Sequence, residues 1–184
     1  MDLDHRALFD ALHPGFFEKE YIRRLPEDEV FSEMILSLKE FDPNAVALTV
    51  PEGVSFGWYV GDEKTLLRAV RDVEEDWAQY FRGSADHVFC AMAEGKPVSF
   101  CLMEPMGEYR GMKIGGPGCV GTVPAWRKKS IGLKMVQLAT GILKDQGYAL
   151  SYIHFTHVDR WYARLGYKTV LRWNSRGLIG TDAD

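Results

Sequence analysis

The stretch that decides the fold reads Thr122-Val123-Pro124-Ala125-Trp126-Arg127-Lys128-Lys129-Ser130-Ile131-Gly132-Leu133. In it a strand pattern stops at Pro124, three consecutive cations follow, and a helical pattern begins near Ile131. The first N–H groups of a helix have no partner inside the helix, and the helix dipole places positive charge at that end. Because cations at this end oppose the dipole, a bound anion explains them better than a solvated helix start does. The stretch therefore predicts an anion site at a strand-to-helix turn.

The composition of this turn suits a phosphate group. The small residues Ser130 and Gly132 let a phosphate come close to the backbone, and the cations at residues 127–129 add local positive charge. The chain as a whole is acidic, with 22 Lys and Arg against 26 Asp and Glu and a formal net charge of −4. Nucleic acid requires a broadly basic surface, so we expect no nucleic-acid partner and instead a phosphorylated small molecule.

Strand and helix patterns alternate from residue 54 onward. Strands are predicted over residues 54–60, 87–93, 98–103, 119–123, 149–155 and 167–173, and helices over residues 66–77, 131–142 and 158–165. Gly147 and Gly166 end the second and third helices. The order β-α-β-β-β-α-β-α-β, in a chain of 184 residues, indicates a mixed α/β (α+β) fold with a largely antiparallel sheet flanked by helices.

Residues 1–50 carry a different pattern. Pro26 precedes three acidic residues, and apolar residues then recur at helical spacing at Val30, Met34, Ile35, Leu38 and Phe41. The Asp-Pro-Asn sequence at residues 42–44 ends this pattern. It predicts a helical N-terminal extension over residues 1–50, ahead of a domain formed by residues 51–184. The apolar stripe packs either within the chain or against a second copy, which leaves a homodimer open.

The glycine-rich run Gly116-Pro117-Gly118-Cys119-Val120-Gly121 matches the letters of two nucleotide-binding motifs. A dinucleotide fingerprint follows a strand and opens a helix, whereas Gly121 leads into a predicted strand. A P-loop needs a lysine directly after its last glycine, and Thr122 stands there. We therefore interpret the run as a flexible loop that leads into the strand.

A second motif reads Trp161-Tyr162-Ala163-Arg164-Leu165-Gly166-Tyr167. Together the two motifs resemble the GNAT superfamily of acyl-CoA-dependent N-acyltransferases, and the resemblance covers residues 54–173. The run from Arg127 to Gly132 resembles the family's pyrophosphate signature Arg/Gln-x-x-Gly-x-Gly/Ala, and residues 122–127 resemble its Val-x-Pro-x-Tyr-Arg element. Residues 161–167 are similar to its Phe-Tyr-x-x-Leu-Gly-Phe segment. Two departures stand out: Ser130 replaces the first signature glycine, and Phe155 stands where the family often has an asparagine.

The resemblance implies an N-acetyltransferase that moves an acetyl group from acetyl-CoA directly to an amine, on a small molecule or a peptide. The implied coenzyme contacts are Gly121, Thr122, Val123, Arg127, Lys128, Lys129, Ser130, Ile131, Gly132 and Leu133. A backbone N–H near Val123 would polarise the thioester carbonyl. Tyr162 matches the family's general acid, and Glu104, His154 and His157 are candidates for the general base. A non-catalytic module that binds CoA or acyl-CoA is the alternative.

The cysteines and the apolar runs set further expectations. Cys90, Cys101 and Cys119 are not spaced as metal ligands, so we expect free thiols in a reducing compartment and no bound metal. The Cys119 motif contains no paired base, and we interpret this residue as small and buried rather than nucleophilic. The N-terminus lacks the apolar core of a signal peptide, and no uncharged apolar run approaches the ~20 residues of a membrane span. We expect a cytoplasmic enzyme that does not contact the membrane.

Overall fold

One eight-stranded sheet forms the centre of the computed structural model, which describes residues 3–180. The strands are β1 (Phe31–Ser37), β2 (Ser55–Trp58), β3 (Val88–Ala93), β4 (Lys96–Tyr109), β5 (Met112–Thr122), β6 (Leu150–Thr156), β7 (Lys168–Asn174) and β8 (Gly177–Gly180). The helices are α1 (His5–Leu12), α2 (Glu20–Arg23), α3 (Glu63–Arg71), α4 (Ala78–Phe81), α5 (Ile131–Asp145) and α6 (Asp159–Ala163). The strand order is β2-β3-β4-β5-β6-β1-β7-β8. Only β5 and β6 pair in parallel within this described sheet; the other neighbours are antiparallel.

The mixed, largely antiparallel α/β fold predicted from the sequence is confirmed. The order of elements after residue 54 follows the predicted order, with α4 and β8 as additions that the sequence patterns did not predict. Gly147 follows α5 with a φ of 78°, the left-handed conformation in which glycine ends a helix at no steric cost. None of the helices within residues 3–180 is long and apolar enough to cross a membrane.

The helix predicted through Val30 and Phe41 is wrong, because residues Phe31–Ser37 form β1. This strand lies inside the sheet, between β6 and β7. A strand covered on both faces has no polar alternation, so its apolar residues fall by chance at helical spacing. The helices of the N-terminal region lie earlier, in α1 and α2. The strand β1 joins residues 31–37 to the sheet formed by the later part of the chain.

Helices cover both faces of the sheet and bury it. On β1, Met34 packs with α5 residues such as Met135 and Val136, whereas Ile35 packs on the opposite side with Leu8 of α1. Successive side chains of a strand point to opposite faces, which explains this division. The same division holds on β4, where Cys101 joins the α5 cluster and its neighbours Phe100 and Leu102 join the cluster of α3 and α4.

The strands β5 and β6 separate soon after they meet. Their pairing is limited to Ile114 with Leu150 and Gly115 with Ser151. At Gly116 the two backbones are so close that an added Cβ atom would lie 1.9 Å from the carbonyl oxygen of Tyr152. The expectation of a flexible glycine-rich loop is wrong, because this run lies within β5. Gly116 permits this close contact between the strands, and after it the sheet opens.

Candidate active site

A cleft of about 1280 Å³ occupies the gap between β5 and β6. One wall is formed by β5 from Gly116 to Thr122, and the other by β6 and the residues that follow it to Val158. The turn before α5 closes one end of the cleft. The exposed residues Tyr21 of α2 and Tyr80 of α4 line it as well.

The β5 wall presents backbone groups to this cleft. The N–H of Val123 donates to the carbonyl oxygen of Val98 at 2.9 Å. The backbone N–H that the resemblance places near Val123 to polarise a thioester is therefore not that of Val123 itself. Adjacent N–H groups of a strand point to opposite sides, which directs the N–H and C=O of Thr122 toward the gap. The carbonyl of Thr122 accepts a hydrogen bond from Nε of Arg127 at 2.9 Å. The carbonyl is thus occupied by Arg127, and the N–H of Thr122 is the group that the edge of β5 presents to the cleft.

A β-bulge deforms the same wall at Cys119. The register between β4 and β5 shifts between Phe100 and Leu102, and Cys119 has a left-handed φ of 47°. Bulges bend a strand and release backbone groups from its ladder, and they are common beside active sites. Burial raises the pKa of the Cys119 thiol to about 12, and the nearby Glu104 adds to the rise. A thiol that stays protonated is a poor nucleophile, which agrees with the non-nucleophilic interpretation of this residue.

The turn before α5 has the geometry of an anion site. Lys128 and Ser130 are left-handed, with φ values of 61° and 59°, and Ser130 makes no capping hydrogen bond with its side chain. A left-handed residue followed by a helical one makes successive N–H groups converge on one point. Arg127 and Lys128 line the cleft beside this point. Lys129 is not among the lining residues, and its Nζ lies 4.7 Å from the centre of the Trp126 ring.

Gly132 allows α5 to begin against β5. A Cβ atom at this position would lie 2.6 Å from Oγ1 of Thr122. That hydroxyl is also held by Ser99, at 2.9 Å between the two oxygens, and the Ser99 hydroxyl donates to the Gly121 carbonyl at 2.7 Å. Because this chain of hydrogen bonds holds Thr122 in place, a larger residue at position 132 would displace the start of the helix.

We expect Gly132→Ala to weaken binding of the acetyl-CoA implied by the family resemblance about tenfold, because moving the first turn of α5 spoils hydrogen bonds to charged groups worth about 1.5–3 kcal/mol. Gly141→Ala is the matched control in the same helix, since a Cβ atom there meets only Pro43 at 3.9 Å among the described residues. The control should keep its affinity and gain up to about 1 kcal/mol of stability from helix propensity. Titration calorimetry measures both affinities, and equal values for the two variants would contradict the prediction.

Tyr162 lies on the cleft side of α6. It is buried with 6% exposure, and its ring packs edge-to-face against Trp161, with centroids 4.8 Å apart. Its hydroxyl makes no hydrogen bond with any of residues 3–180, yet the residue lines the cleft. Burial raises the pKa of Tyr162 above its ordinary value, and the neighbouring Tyr167, Cys101 and Cys119 add to the rise. The side chain is therefore a protonated phenol beside open space.

The three candidate bases all line the same cleft. Glu104 is exposed on β4, opposite Gly116. His157 is exposed after β6, with its ring centre 6.4 Å from that of Phe31. His154 is half-buried, and its Nδ1 lies 2.9 Å from Oε2 of Glu33. His154 therefore differs from the other two candidates in that a buried carboxylate holds its ring.

Glu33 is the functional candidate that sequence reasoning missed. It is fully buried in β1 and accepts hydrogen bonds from Nε1 of Trp173 at 2.7 Å and from the Phe155 N–H at 3.2 Å, in addition to His154. A bulge in β6, where His154 and Phe155 together face Glu33, brings both donors to it. The available signal was one carboxylate within the apolar run from Phe31 to Leu36.

The sequence and fold of this chain are similar to those of one family of known proteins. The sequence profile of the Acetyltransferase (GNAT) family matches residues 55–167. The chain belongs to this family. Among curated proteins, none matches its sequence significantly.

Solved GNAT structures share the fold at low sequence identity. The glucosamine N-acetyltransferase region of a fungal multi-domain GH3 β-N-acetylglucosaminidase superposes with a TM-score of 0.64 at 20% identity, over 94% of this chain and 22% of that one. A GCN5-related N-acetyltransferase from Sphaerobacter thermophilus gives 0.61 at 21% identity, over 82% of this chain and 51% of that one. A tandem GNAT protein from the clavulanic acid biosynthesis pathway gives 0.58 at 13% identity, over 95% and 57%. The chain thus spans about half or less of the first two structures.

The predicted coenzyme contacts of this GNAT protein fall into two groups. Eight of them line the cleft: Gly121, Thr122, Arg127, Lys128, Ser130, Ile131, Gly132 and Leu133. Val123 and Lys129 are not among the lining residues. Phe155, at the position where the family often has asparagine, packs its ring against Phe31 and Trp173, with centroids 4.6 and 4.7 Å away. Its side chain is therefore part of the core.

Proposed function

We propose that this GNAT protein is an N-acetyltransferase that moves an acetyl group from acetyl-CoA directly to an amine acceptor. One observation carries the proposal: the convergent N–H groups before α5, the edge of β5 at Thr122 and the phenol of Tyr162 all face a single cleft. An anion site, a peptide-like pairing edge and a proton donor are what a thioester of CoA requires along its length.

The coenzyme would lie along the β5 wall. Its pyrophosphate would accept hydrogen bonds from the first N–H groups of α5, with Arg127 and Lys128 supplying positive charge. Its pantetheine amides would pair with the exposed edge of β5 at Thr122, in place of the strand that β6 would otherwise provide. An N–H of the bulged β5 segment, rather than that of Val123, would then stabilise the oxyanion of the tetrahedral intermediate.

The chemistry needs two proton movements. The acceptor ammonium loses a proton, the neutral amine attacks the thioester carbonyl carbon, and the C–S bond breaks. Tyr162 would protonate the departing CoA thiolate, and the second amine proton would return the tyrosinate to its phenol form. The raised pKa of Tyr162 means that its phenol carries this proton when the reaction begins.

The carboxylates that line the cleft favour an amine acceptor. Glu74, Asp76 and Glu104 line the cleft, and their carboxylates form no ion pair with any of residues 3–180. Unpaired carboxylates attract an ammonium group before it is deprotonated. The related fungal region is described as a glucosamine N-acetyltransferase, so glucosamine belongs in the first panel of acceptors together with an alkyl diamine and a lysine peptide.

The test measures acetyl-CoA binding by calorimetry and amine-dependent thiol release with that panel. Arg127→Ala/Lys128→Ala should weaken acetyl-CoA binding at least about tenfold, since each charge-assisted hydrogen bond is worth about 1.5–3 kcal/mol. Lys39→Ala, which removes an exposed cation elsewhere, is the control and should bind like the wild type. Absence of acetyl-CoA binding by the wild type at high micromolar concentration would overturn the coenzyme assignment.

A non-catalytic CoA-binding module is the second candidate. Two observations favour it: Ser130 holds a left-handed conformation that glycine adopts more easily, and Phe155 offers no polar group to the coenzyme. A module would bind acetyl-CoA and release no thiol with any amine of the panel. Thiol release that depends on both amine and enzyme selects the transferase.

A further inference from the structure

A second group of polar residues lies beside the cleft, away from the proposed coenzyme path. It consists of Glu33 in β1, His154 in β6, Tyr152 in β6 and His13, which directly follows α1. His154 and Tyr152 line the cleft. Two buried polar atoms of the group, Nε2 of His13 and the hydroxyl of Tyr152, have no hydrogen-bond partner within residues 3–180. The coenzyme site as described uses none of these four side chains.

Glu33 determines which nitrogen of His154 carries the proton. A carboxylate only accepts hydrogen bonds, so Nδ1 of His154 donates to it at 2.9 Å. In the neutral ring the lone pair then belongs to Nε2, which makes no hydrogen bond to any of residues 3–180. The same carboxylate is fixed by the Trp173 and Phe155 N–H groups. His154, which lines the cleft, therefore has a fixed tautomer whose acceptor nitrogen is Nε2.

His13 covers one face of the His154 ring. The two imidazoles stack with centroids 3.8 Å apart and planes 14° apart. Burial, together with the nearby His154 and Lys19, lowers the pKa of His13 to about 3, so His13 is neutral at physiological pH. A neutral ring in this position restricts rotation of His154 without competing for the charge of Glu33. Through His13 the N-terminal region thus holds a residue that lines the cleft.

A metal ion is a poor fit for this group. One ligand atom from each of His13, Glu33 and His154 lies within 4.8 Å of the others. Nearly parallel stacked rings, however, direct their nitrogen lone pairs along parallel planes, so the two cannot point at one ion. Glu33 is also already occupied by three N–H donors. The geometry is that of a hydrogen-bonded carboxylate–imidazole pair.

We propose that His154 is the general base that deprotonates the acceptor amine, with Glu33 as its positioning residue and His13 as the ring that holds it in place. This rests on the proposed transferase function. Nε2 of His154 takes one proton from the ammonium group, and the resulting imidazolium is balanced by the Glu33 carboxylate. The neutral amine then attacks the thioester, and the imidazolium returns its proton to solvent after the amide and CoA leave.

The other two candidates lack this arrangement. Glu104 and His157 are exposed and have no hydrogen bond that fixes their orientation within residues 3–180. The titratable and charged groups that face His154 are Glu33 from β1, His13 from the segment after α1 and Tyr152 from its own strand, with Lys19 beyond His13. Burial keeps Tyr152 neutral by raising its pKa above the ordinary value. Glu33 is therefore the charged group that sets the role of His154.

The test compares two amines that differ in their need for a base. An alkylamine is protonated at neutral pH, whereas a weakly basic amine such as an arylamine is already neutral and needs no proton removed before attack. With acetyl-CoA and the full-length chain, His154→Gln should lower kcat/KM for the alkylamine about 100-fold and for the arylamine less than about threefold. Glu33→Gln should show the same selective pattern with a smaller loss, and raising the pH should restore much of the alkylamine rate. Acetyl-CoA affinity should stay unchanged in both variants.

The matched control is His87→Gln, since His87 is an exposed histidine beside Asp86, outside the cleft lining, and its replacement should leave both amines unaffected. Equal losses with the two amines would mean that His154 has only a structural role. A selective loss in His157→Gln or Glu104→Gln instead would move the base to that residue. If the wild type acetylates no amine while binding acetyl-CoA, the proposed function itself fails, which is a different outcome. The side chain of His154 is partly exposed, whereas Glu33 is fully buried, so the His154 variant tests the proposal even if Glu33→Gln does not fold.

Discussion

Replacing Tyr162 with phenylalanine should lower the turnover of amine acetylation by about 100-fold or more, the contribution that a positioned general acid typically makes. The thiolate of CoA would then leave without a proton donor. Phenylalanine keeps the ring that packs against Trp161 and Tyr167, so the cleft should keep its shape. The removed hydroxyl has no partner within residues 3–180, so folding stability and acetyl-CoA affinity should stay near the wild-type values. Steady-state thiol release gives kcat, and calorimetry gives the affinity.

Tyr167→Phe is the matched control because it removes a tyrosine hydroxyl that is hydrogen-bonded within the core. Tyr167 is fully surrounded by protein, and its hydroxyl lies 2.8 Å from Oγ1 of Thr140 and 2.7 Å from Oγ of Ser151. Loss of these bonds should cost about 1–3 kcal/mol of unfolding free energy and leave kcat close to the wild type. The two variants should therefore separate stability from turnover. Equal turnover of Tyr162→Phe and the wild type on a true acceptor would remove the acid role.

The sequence predicted those elements whose patterns are local. The helix α5 could be predicted because one apolar stripe, a turn with three cations before it and Gly147 after it all agree. The family resemblance could be recognised because the two motifs around Arg127 and Tyr162 each lie within a dozen residues. Local periodicity and short motifs need no knowledge of distant partners.

The parts that the sequence did not reveal depend on distant contacts. Whether Phe31–Ser37 forms a strand depends on β6 and β7, which cover its two edges from more than a hundred residues away in the chain. The hydrogen bond between His154 and Glu33 joins residues 121 positions apart. The glycine-rich run gave a misleading loop pattern, because its glycines serve close contact between strands rather than a turn. Tertiary packing decides in each of these cases.

That close contact makes Gly116→Ala the substitution with the largest expected effect on stability. The added methyl group would lie 1.9 Å from the Tyr152 carbonyl oxygen. The methyl group is fixed to one backbone and the oxygen belongs to the other, so no rotamer change can separate them. The start of β6 would have to shift away from β5, at the point where the two strands have only two paired positions. Overpacking of side chains costs about 1–3 kcal/mol, and a backbone clash should reach or exceed the upper end of that range. Urea unfolding followed by circular dichroism measures the change.

The matched control for this substitution is Gly118→Ala, two residues further along β5. A Cβ atom at Gly118 meets only the Leu102 carbonyl oxygen, at 4.0 Å, among the described residues. The control should therefore unfold within about 1 kcal/mol of the wild type, the usual cost of a tolerated substitution. Both glycines lie on the same strand and the same cleft wall, so a difference between them isolates the contact with Tyr152. If the two variants unfold at the same urea concentration, β5 and β6 do not meet as closely as the structure has them, and the origin of the cleft must lie elsewhere.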